Sequence, residues 1–258
     1  MARRDGTPEF VQSLERGLAV ISAFGPNAPE MTISEVAKAT GTTRATARRF
    51  LLTLEKLGHV RSAGRKFSLT PDVLSLGYAY LSSLEWWQIA QPPMEDVVRE
   101  LQESCSAAVL SGKEVIYVQR VTTATRTMSI NLSIGTRLPA EATSLGRVLL
   151  SHKSPEVLDR FLSEITPKAY TNHTKLDPKE VREAIETARL KGYALVDQEL
   201  ETGLRSIAVP IYDRTGRILA ALNVGSHAAR TRLDEMTSRF LPLILEASRK
   251  ITAQLPRQ

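Results

Sequence analysis

Apolar residues recur at three- and four-residue spacing in some stretches of the chain and at two-residue spacing in others, and this change of period sets the expected elements. Across residues 10–24, Val11, Leu14, Leu18 and Ile21, with Ala19, Val20 and Phe24, predict an amphipathic helix, ended by the breakers Gly25, Pro26, Asn27 and Pro29. Residues 31–57 predict two short helices. Thr32 and Glu35 have capping-box spacing with Met31 and Val36 as a hydrophobic staple, so the first helix should start at Ile33. Gly41 supplies the turn, and Thr43 caps a second helix whose expected buried stripe is Ala47, Phe50, Leu51, Leu54 and Leu57. Residues 59–70 then alternate apolar and polar about Ala63, Gly64 and Arg65, which predicts a β-hairpin. Three helices and a hairpin make a winged helix-turn-helix, and the residues before Glu9 are expected to be a frayed arm.

Residues 71–84 open with proline at a first helical position and carry Val73, Leu74, Leu76, Tyr78, Tyr80, Leu81 and Leu84 around most of the helix. Such a helix needs a partner, either the second domain or the same helix of another subunit. Trp86, Trp87 and the Pro92-Pro93 pair are expected to mark the joint between domains, the tryptophans as bulky packing. A helix at 94–103 should lead into strands at Cys105–Ser111, Glu114–Val121 and 127–132, then a loop and a helix beginning near Thr143 or Ser144. Helices at 155–163 and Pro178–Lys191, strands at 193–196, Leu204–Tyr212 and 218–225, and a last helix over 233–254 interrupted at Pro242 complete the pattern. This is an α+β chain with a mostly antiparallel sheet. The expected division is 9–70 for the winged domain, 71–86 for a linking helix and 87–258 for the second domain.

Charge sharpens the division. The chain has 258 residues and a net charge of +6. Residues 1–70 hold 11 Lys/Arg against 6 Asp/Glu, net +5, which leaves +1 for the rest. A basic excess confined to one module points to a polyanion partner for that module. The single cysteine, Cys105, excludes an intramolecular disulfide framework and is expected as a small buried strand residue in a reducing compartment. No apolar run approaches the roughly 20 residues of a membrane span and no apolar segment follows the first arginines, so a cytoplasmic location is expected.

The candidate chemistry follows. Thr42, Thr43, Arg44, Thr46, Arg48 and Arg49 lie at the start of the second helix or off its apolar stripe, where arginine can read guanine bidentately and threonine offers a hydroxyl or a methyl. Arg16, Arg61, Arg65 and Lys66 are candidates for backbone phosphates. In the second domain the helix beginning at Thr143, Ser144 and Leu145 presents unpaired amides suited to a carboxylate, with plain capping as the other reading, and Arg137 is a candidate countercharge. The four histidines are scattered, and no zinc spacing, nucleophile elbow or phosphate loop occurs, so no enzyme, metal or cofactor is expected.

The passages SLERGLAVISAF, ISEVAKATGTTRATARRFLLTL, GTRLPAEATSLGRVLLS and GYALVDQELETGLRSIAVPIYD carry a resemblance to the IclR family of bacterial transcription regulators over residues 10–255. Within it the chain is most similar to the PcaR, PcaU and PobR group, which controls aromatic-acid catabolism through the β-ketoadipate pathway. The resemblance implies a winged DNA-binding domain, a linking helix that forms a homodimer, pairing of dimers into tetramers, and a GAF-like sensor domain for a small organic acid. It also implies an effector pocket lined by the helix start at Thr143, Ser144 and Leu145, the acidic turn at Asp197 and Glu199, Ser206 and Asn223. Many members carry cysteine where Ser206 stands; the hydroxyl can still donate to a carboxylate. Asp197 and Glu199 have an alternative role in capping strands or pairing with Arg205. The implied partners are a double-stranded DNA operator and an acid such as protocatechuate, 4-hydroxybenzoate or β-ketoadipate. The alternative is a ligand-independent structural DNA-binding protein whose second domain only oligomerises.

Overall fold

A computed structural model describes residues 9–123 and 132–256. The expected N-terminal arm and all but Leu132 of the strand expected at 127–132 lie outside the described residues. The chain forms two units that divide between Leu81 and Ser82.

In the first unit, α1 (Gln12–Ala23), α2 (Ile33–Thr40) and α3 (Arg44–Lys56) precede a wing of β2 (Val60–Ala63) and β3 (Lys66–Leu69). The α2 start follows the local code: the Thr32 hydroxyl accepts from the Glu35 amide, and the Glu35 carboxylate accepts from the Thr32 amide at 2.7 Å. Met31 and Val36 are both buried, as a staple requires. Gly41 sits in the left-handed region at φ 63°, which turns the chain without a Cβ clash. A third strand, β1 (Glu30–Thr32), pairs with β3, setting Met31 opposite Phe67. It was not expected, because those three residues read locally as a helix entry.

The core of this unit is Val20, Phe24, Met31, Val36, Ala47, Leu51, Leu54, Val60 and Phe67. Val11, Leu14 and Leu18 are exposed instead, as is Leu57 at the end of α3. Helix α1 carries two apolar stripes about 130° apart at ~100° per residue, and only the one through Val20 meets the other helices. Beyond a 3-10 turn at Pro71–Val73, α4 (Leu74–Ser82) has no buried residue; Leu74 is 70% exposed and Tyr78 57%.

The second unit is a six-stranded antiparallel sheet in the order β6-β5-β4-β9-β8-β7. Its strands are β4 (Cys105–Ser111), β5 (Glu114–Val121), β6 (Arg137–Pro139), β7 (Ala194–Asp197), β8 (Leu204–Tyr212) and β9 (Ile218–His227). Strand β6 lies where a loop was expected. One face packs on α5 (Glu85–Leu101) and α10 (Leu241–Gln254), the other on α6 (Ser144–Ser151), which in turn meets α8 (Pro178–Lys191). Helix α7 (Pro155–Glu164) also packs on α8. Pro92 and Pro93 do not break the chain at a joint; they lie inside α5, where each lacks the N–H that would complete a helical bond. Trp86 is buried in that helix. Near Pro242 the helix is likewise unbroken: α9 (Leu233–Glu235) passes through a π-helical turn, Met236–Phe240, into α10. The π turn just before Pro242 interrupts the regular ladder of helical bonds, which accommodates the donor that proline lacks.

Helix α6 is buried along its entire length, and Gly146 lets it approach the preceding loop. A Cβ on Gly146 would stand 2.0 Å from the Ala140 carbonyl oxygen and 2.4 Å from its Cα. Gly146→Ala is therefore expected to destabilise this unit by about 3 kcal/mol, the upper part of the range for overpacking. Urea unfolding followed by tryptophan emission measures it, because both tryptophans lie on α5. An unchanged midpoint would show that the loop yields freely.

Candidate effector cavity and nucleic-acid interface

The candidate recognition surface is built on α3. The Thr43 hydroxyl accepts from the Thr46 amide at 3.2 Å and so caps the helix, while its own proton goes to the Thr46 hydroxyl at 2.9 Å. Arg44, Arg48 and Arg49 are exposed along this helix, with Ala47 and Leu51 buried beneath them. Thr42 is half-buried and shares a hydrogen bond with Thr40. The wing is tied to α3 by Glu55, whose carboxylate accepts from the Ser62 amide and hydroxyl. Arg61 and Arg65 are exposed on the wing; Arg61 donates to Ser68. Lys66 is exposed but 3.5 Å from the Glu30 carboxylate, which partly offsets its charge. Arg16 on α1 is exposed, with Gln12 as its hydrogen-bond partner.

In the second unit a recess lies between the sheet and the start of α6, lined by Ser104, Ser106, Tyr117, Arg120, Leu132, Ala142, Thr143, Val196, Leu200, Leu204, Ser206, Asn223 and Gly225. Sheet register explains why these residues meet. Ser106 stands opposite Asn223 on one side and Arg120 on the other, so the three form a rung across β5, β4 and β9. Gly225 opposite Ser206 belongs to a neighbouring rung on the same face. The recess spans about 560 Å³, part of it open to solvent. It is a small, narrow slot.

Its charge is one-sided. The Arg120 guanidinium donates to the Ser106 hydroxyl at 2.6 Å, and its Nε is buried with no hydrogen-bond partner. Burial pushes the Arg120 pKa down, although a guanidinium keeps its proton. Among the described residues no carboxylate pairs with it, and no acidic side chain lines the recess. Tyr117 is pushed up to about 12 by burial, so it remains a phenol able to donate. The rest of the polar lining is neutral hydroxyl and amide.

Helix α6 contributes its N-terminus. Thr143 caps it, accepting from the Gly146 amide at 3.1 Å and donating to the Pro139 carbonyl, so its hydroxyl is already committed. The Ser144 and Leu145 amides precede the first intrahelical donor and have no helical acceptor. The Ser144 side chain is buried behind the slot, donating to Ser206 at 2.9 Å, and the Leu145 side chain is core.

Three other expected positions are placed elsewhere. Arg137 is on edge strand β6, paired with Glu114 at 2.7 Å and nearly half-exposed. Asp197 pairs with Arg205 at 2.6 Å. Glu199 is buried and grips Arg147 through two bonds of 2.7 and 2.6 Å. Arg147 also donates to the Glu141 carbonyl, and the Glu199 carbonyl accepts from Thr174 at 2.6 Å. Glu199 therefore anchors the loop that carries Leu200 to the recess, without lining it.

Thr143, Ser206 and Asn223 line the slot; Ser104, Ser106, Tyr117 and Arg120 were not singled out from the sequence. One signal was available: an arginine in the largely apolar strand run Val115–Val121. A charge there needs a reason.

A profile for the helix-turn-helix domain of the IclR family matches residues 13–64, and one for the C-terminal domain of bacterial IclR transcriptional regulators matches residues 78–253. The Pca regulon regulatory protein of Pseudomonas putida is 46% identical over 250 residues, 97% of this chain and 86% of that protein. The p-hydroxybenzoate hydroxylase transcriptional activator of Acinetobacter baylyi is 32% identical over 249 residues, 95% and 92% of the two chains. Among solved structures, an IclR homologue of Microbacterium hydrocarbonoxydans complexed with 4-hydroxybenzoate superposes with a TM-score of 0.83 at 26% identity, covering 94% of this chain and 98% of that one.

Proposed function

Because the chain belongs to the IclR family of bacterial transcriptional regulators, we propose that it controls an aromatic-acid catabolic pathway and that its effector is a small aromatic carboxylate. The observation that carries this reading is Arg120, a part-buried cation with a free Nε in a narrow slot lined by neutral polar groups. A carboxylate on Arg120 supplies the missing acceptor, the flat ring fills the slot, and Tyr117, Asn223 and the α6 amides offer donors to ring oxygens. The two similar regulators concern the Pca regulon and p-hydroxybenzoate hydroxylase, and the similar structure holds 4-hydroxybenzoate. A dicarboxylate such as β-ketoadipate would need the α6 N-terminus for its second charge.

The DNA partner follows from α3 and the wing. Arg44, Arg48 and Arg49 face outward beside Thr46, in the arrangement that enters a major groove, with Arg61 and Arg65 at flanking phosphates. Arg44→Ala is expected to cost about 1 to 3 kcal/mol on the operator and little on random duplex, as loss of a bidentate base contact does. Gel-shift titration of both duplexes checks it; equal losses on the two would remove the reading role. The exposed apolar face of α4, with Leu74, Leu76, Tyr78 and Tyr80, supports a homodimer through this helix.

An effector alters operator affinity only if it binds the two arrangements of the regulator unequally. Calorimetry with protocatechuate, 4-hydroxybenzoate and β-ketoadipate, followed by gel shifts at saturation, tests the whole reading. Binding of none of them, with DNA affinity indifferent to all three, would favour a structural DNA-binding protein.

A further inference from the structure

Strand β5 does something a plain strand cannot. Tyr117 and Arg120 are three residues apart, which in regular alternation places them on opposite faces of the sheet, yet both line the recess. The cause is a bulge: Ala107 stands opposite Gln119 and Ala108 opposite Tyr117, so Val118 is an extra residue on β5. The bulge resets the alternation and swings both side chains into the slot. Its other side is tied to α5. The Trp87 indole Nε1 donates to the Val118 carbonyl at 2.8 Å, and the Gln119 side-chain amide donates to Gln91 at 3.1 Å. The four residues of the bulge thus divide, 117 and 120 toward the recess and 118 and 119 toward α5.

We propose that Trp87 is a positioning residue of the effector site, and that its bond to the bulge carries the occupancy of the recess to the start of α5, the helix that follows the division between the two units in the sequence. This rests on the assignment of the recess to an aromatic acid. The argument is geometric. A ligand carboxylate on Arg120 and a ring against Tyr117 load both ends of the bulge, and the carbonyl between them has Trp87 as its partner. A bulged strand has fewer ladder bonds to resist a shift than a regular one. Linkage then requires reciprocity: if occupancy strengthens the Trp87 bond, removing that bond weakens effector binding by the same free energy. The second tryptophan, Trp86, is buried and does not touch this recess.

The experiment uses the full chain and two probes, 4-hydroxybenzoate and protocatechuate. Calorimetry on the unmodified chain comes first, then titration of its tryptophan emission, which arises on α5 alone. Trp87→Phe keeps an aromatic ring and removes the donor. The expected results are an emission change that saturates with the calorimetric isotherm, absence of that change in Trp87→Phe, and an affinity lowered about fivefold in the variant, the size of one hydrogen bond. A role in packing alone would lower the unfolding midpoint and leave affinity and emission unmoved. Emission that stays constant at calorimetric saturation overturns the proposal even if Trp87→Phe fails to fold, and so does a folded variant that binds as the unmodified chain does. If the unmodified chain binds neither acid, the assignment of the recess fails first and this inference falls with it.

Discussion

Arg120→Met is expected to abolish most effector binding while leaving the fold intact. A charge-assisted pair between guanidinium and carboxylate contributes about 2 to 3 kcal/mol, so affinity should fall roughly 30- to 150-fold by calorimetry. The free protein should gain some thermal stability, since removing a part-buried charge outweighs the bond lost by the Ser106 hydroxyl. Among the described residues the Arg120 guanidinium has only Ser106 as a hydrogen-bond partner, and burial disfavours its charge. Methionine fills similar volume without that penalty. The opposite signs separate a binding role from a structural one: a structural arginine would lower the melting temperature when removed. Arg137→Met, by contrast, should leave effector affinity unchanged, since Arg137 spends its charge on Glu114 at the sheet edge. Equal affinity of Arg120→Met and the unmodified chain for every acid tested would dismiss the proposed anchor.

Glu199→Ala is expected to have the largest effect on stability. Its carboxylate and the Arg147 guanidinium are both buried, with side chains 7% and 3% exposed. Removing the acid leaves a buried cation whose Nη1 and Nη2 lose their acceptors, and such breaks cost about 3 to 5 kcal/mol. The loss should appear in the urea midpoint read by tryptophan emission, which reports the second unit. The double variant Arg147→Met with Glu199→Met should recover most of it, because a buried pair is expensive to desolvate and an apolar replacement avoids that cost. A double variant no better than the single one would show that the Arg147 bond to the Glu141 carbonyl carries the stability instead. Effector affinity should also fall in Glu199→Ala, since the loop bearing Leu200 loses its anchor on α6.

Much of the first unit was legible because its determinants are local. Thr32 and Glu35 start α2, Gly41 turns the chain and Thr43 starts α3, each within four residues of its partner. The strands Cys105–Ser111, Glu114–Val121 and Leu204–Tyr212 follow from alternation and their flanking turns. Elsewhere the local reading misled for identifiable reasons. Pro92 and Pro93 suggest a break, but tertiary packing of α5 on the sheet and on α10 overrides two missing donors. Two apolar stripes on α1 gave no local sign of which one is core.

The recess divides along the same line. Thr143 was legible as a helix start, and Ser206 and Asn223 were reached through the family resemblance; all three line the slot. Arg120 and Tyr117 were not, because periodicity places them on opposite faces until a bulge between strands corrects the count. Arg147 and Glu199 are 52 residues apart, and nothing in the local sequence pairs them. By itself the sequence determined most of the elements, their caps and the concentration of positive charge in the first quarter, since these depend on neighbours within a turn or a hairpin. Only the tertiary structure decided which polar side chains share the recess and which are spent on one another, because strand register, a single bulge and ion pairs are settled between residues that meet only after the chain has folded.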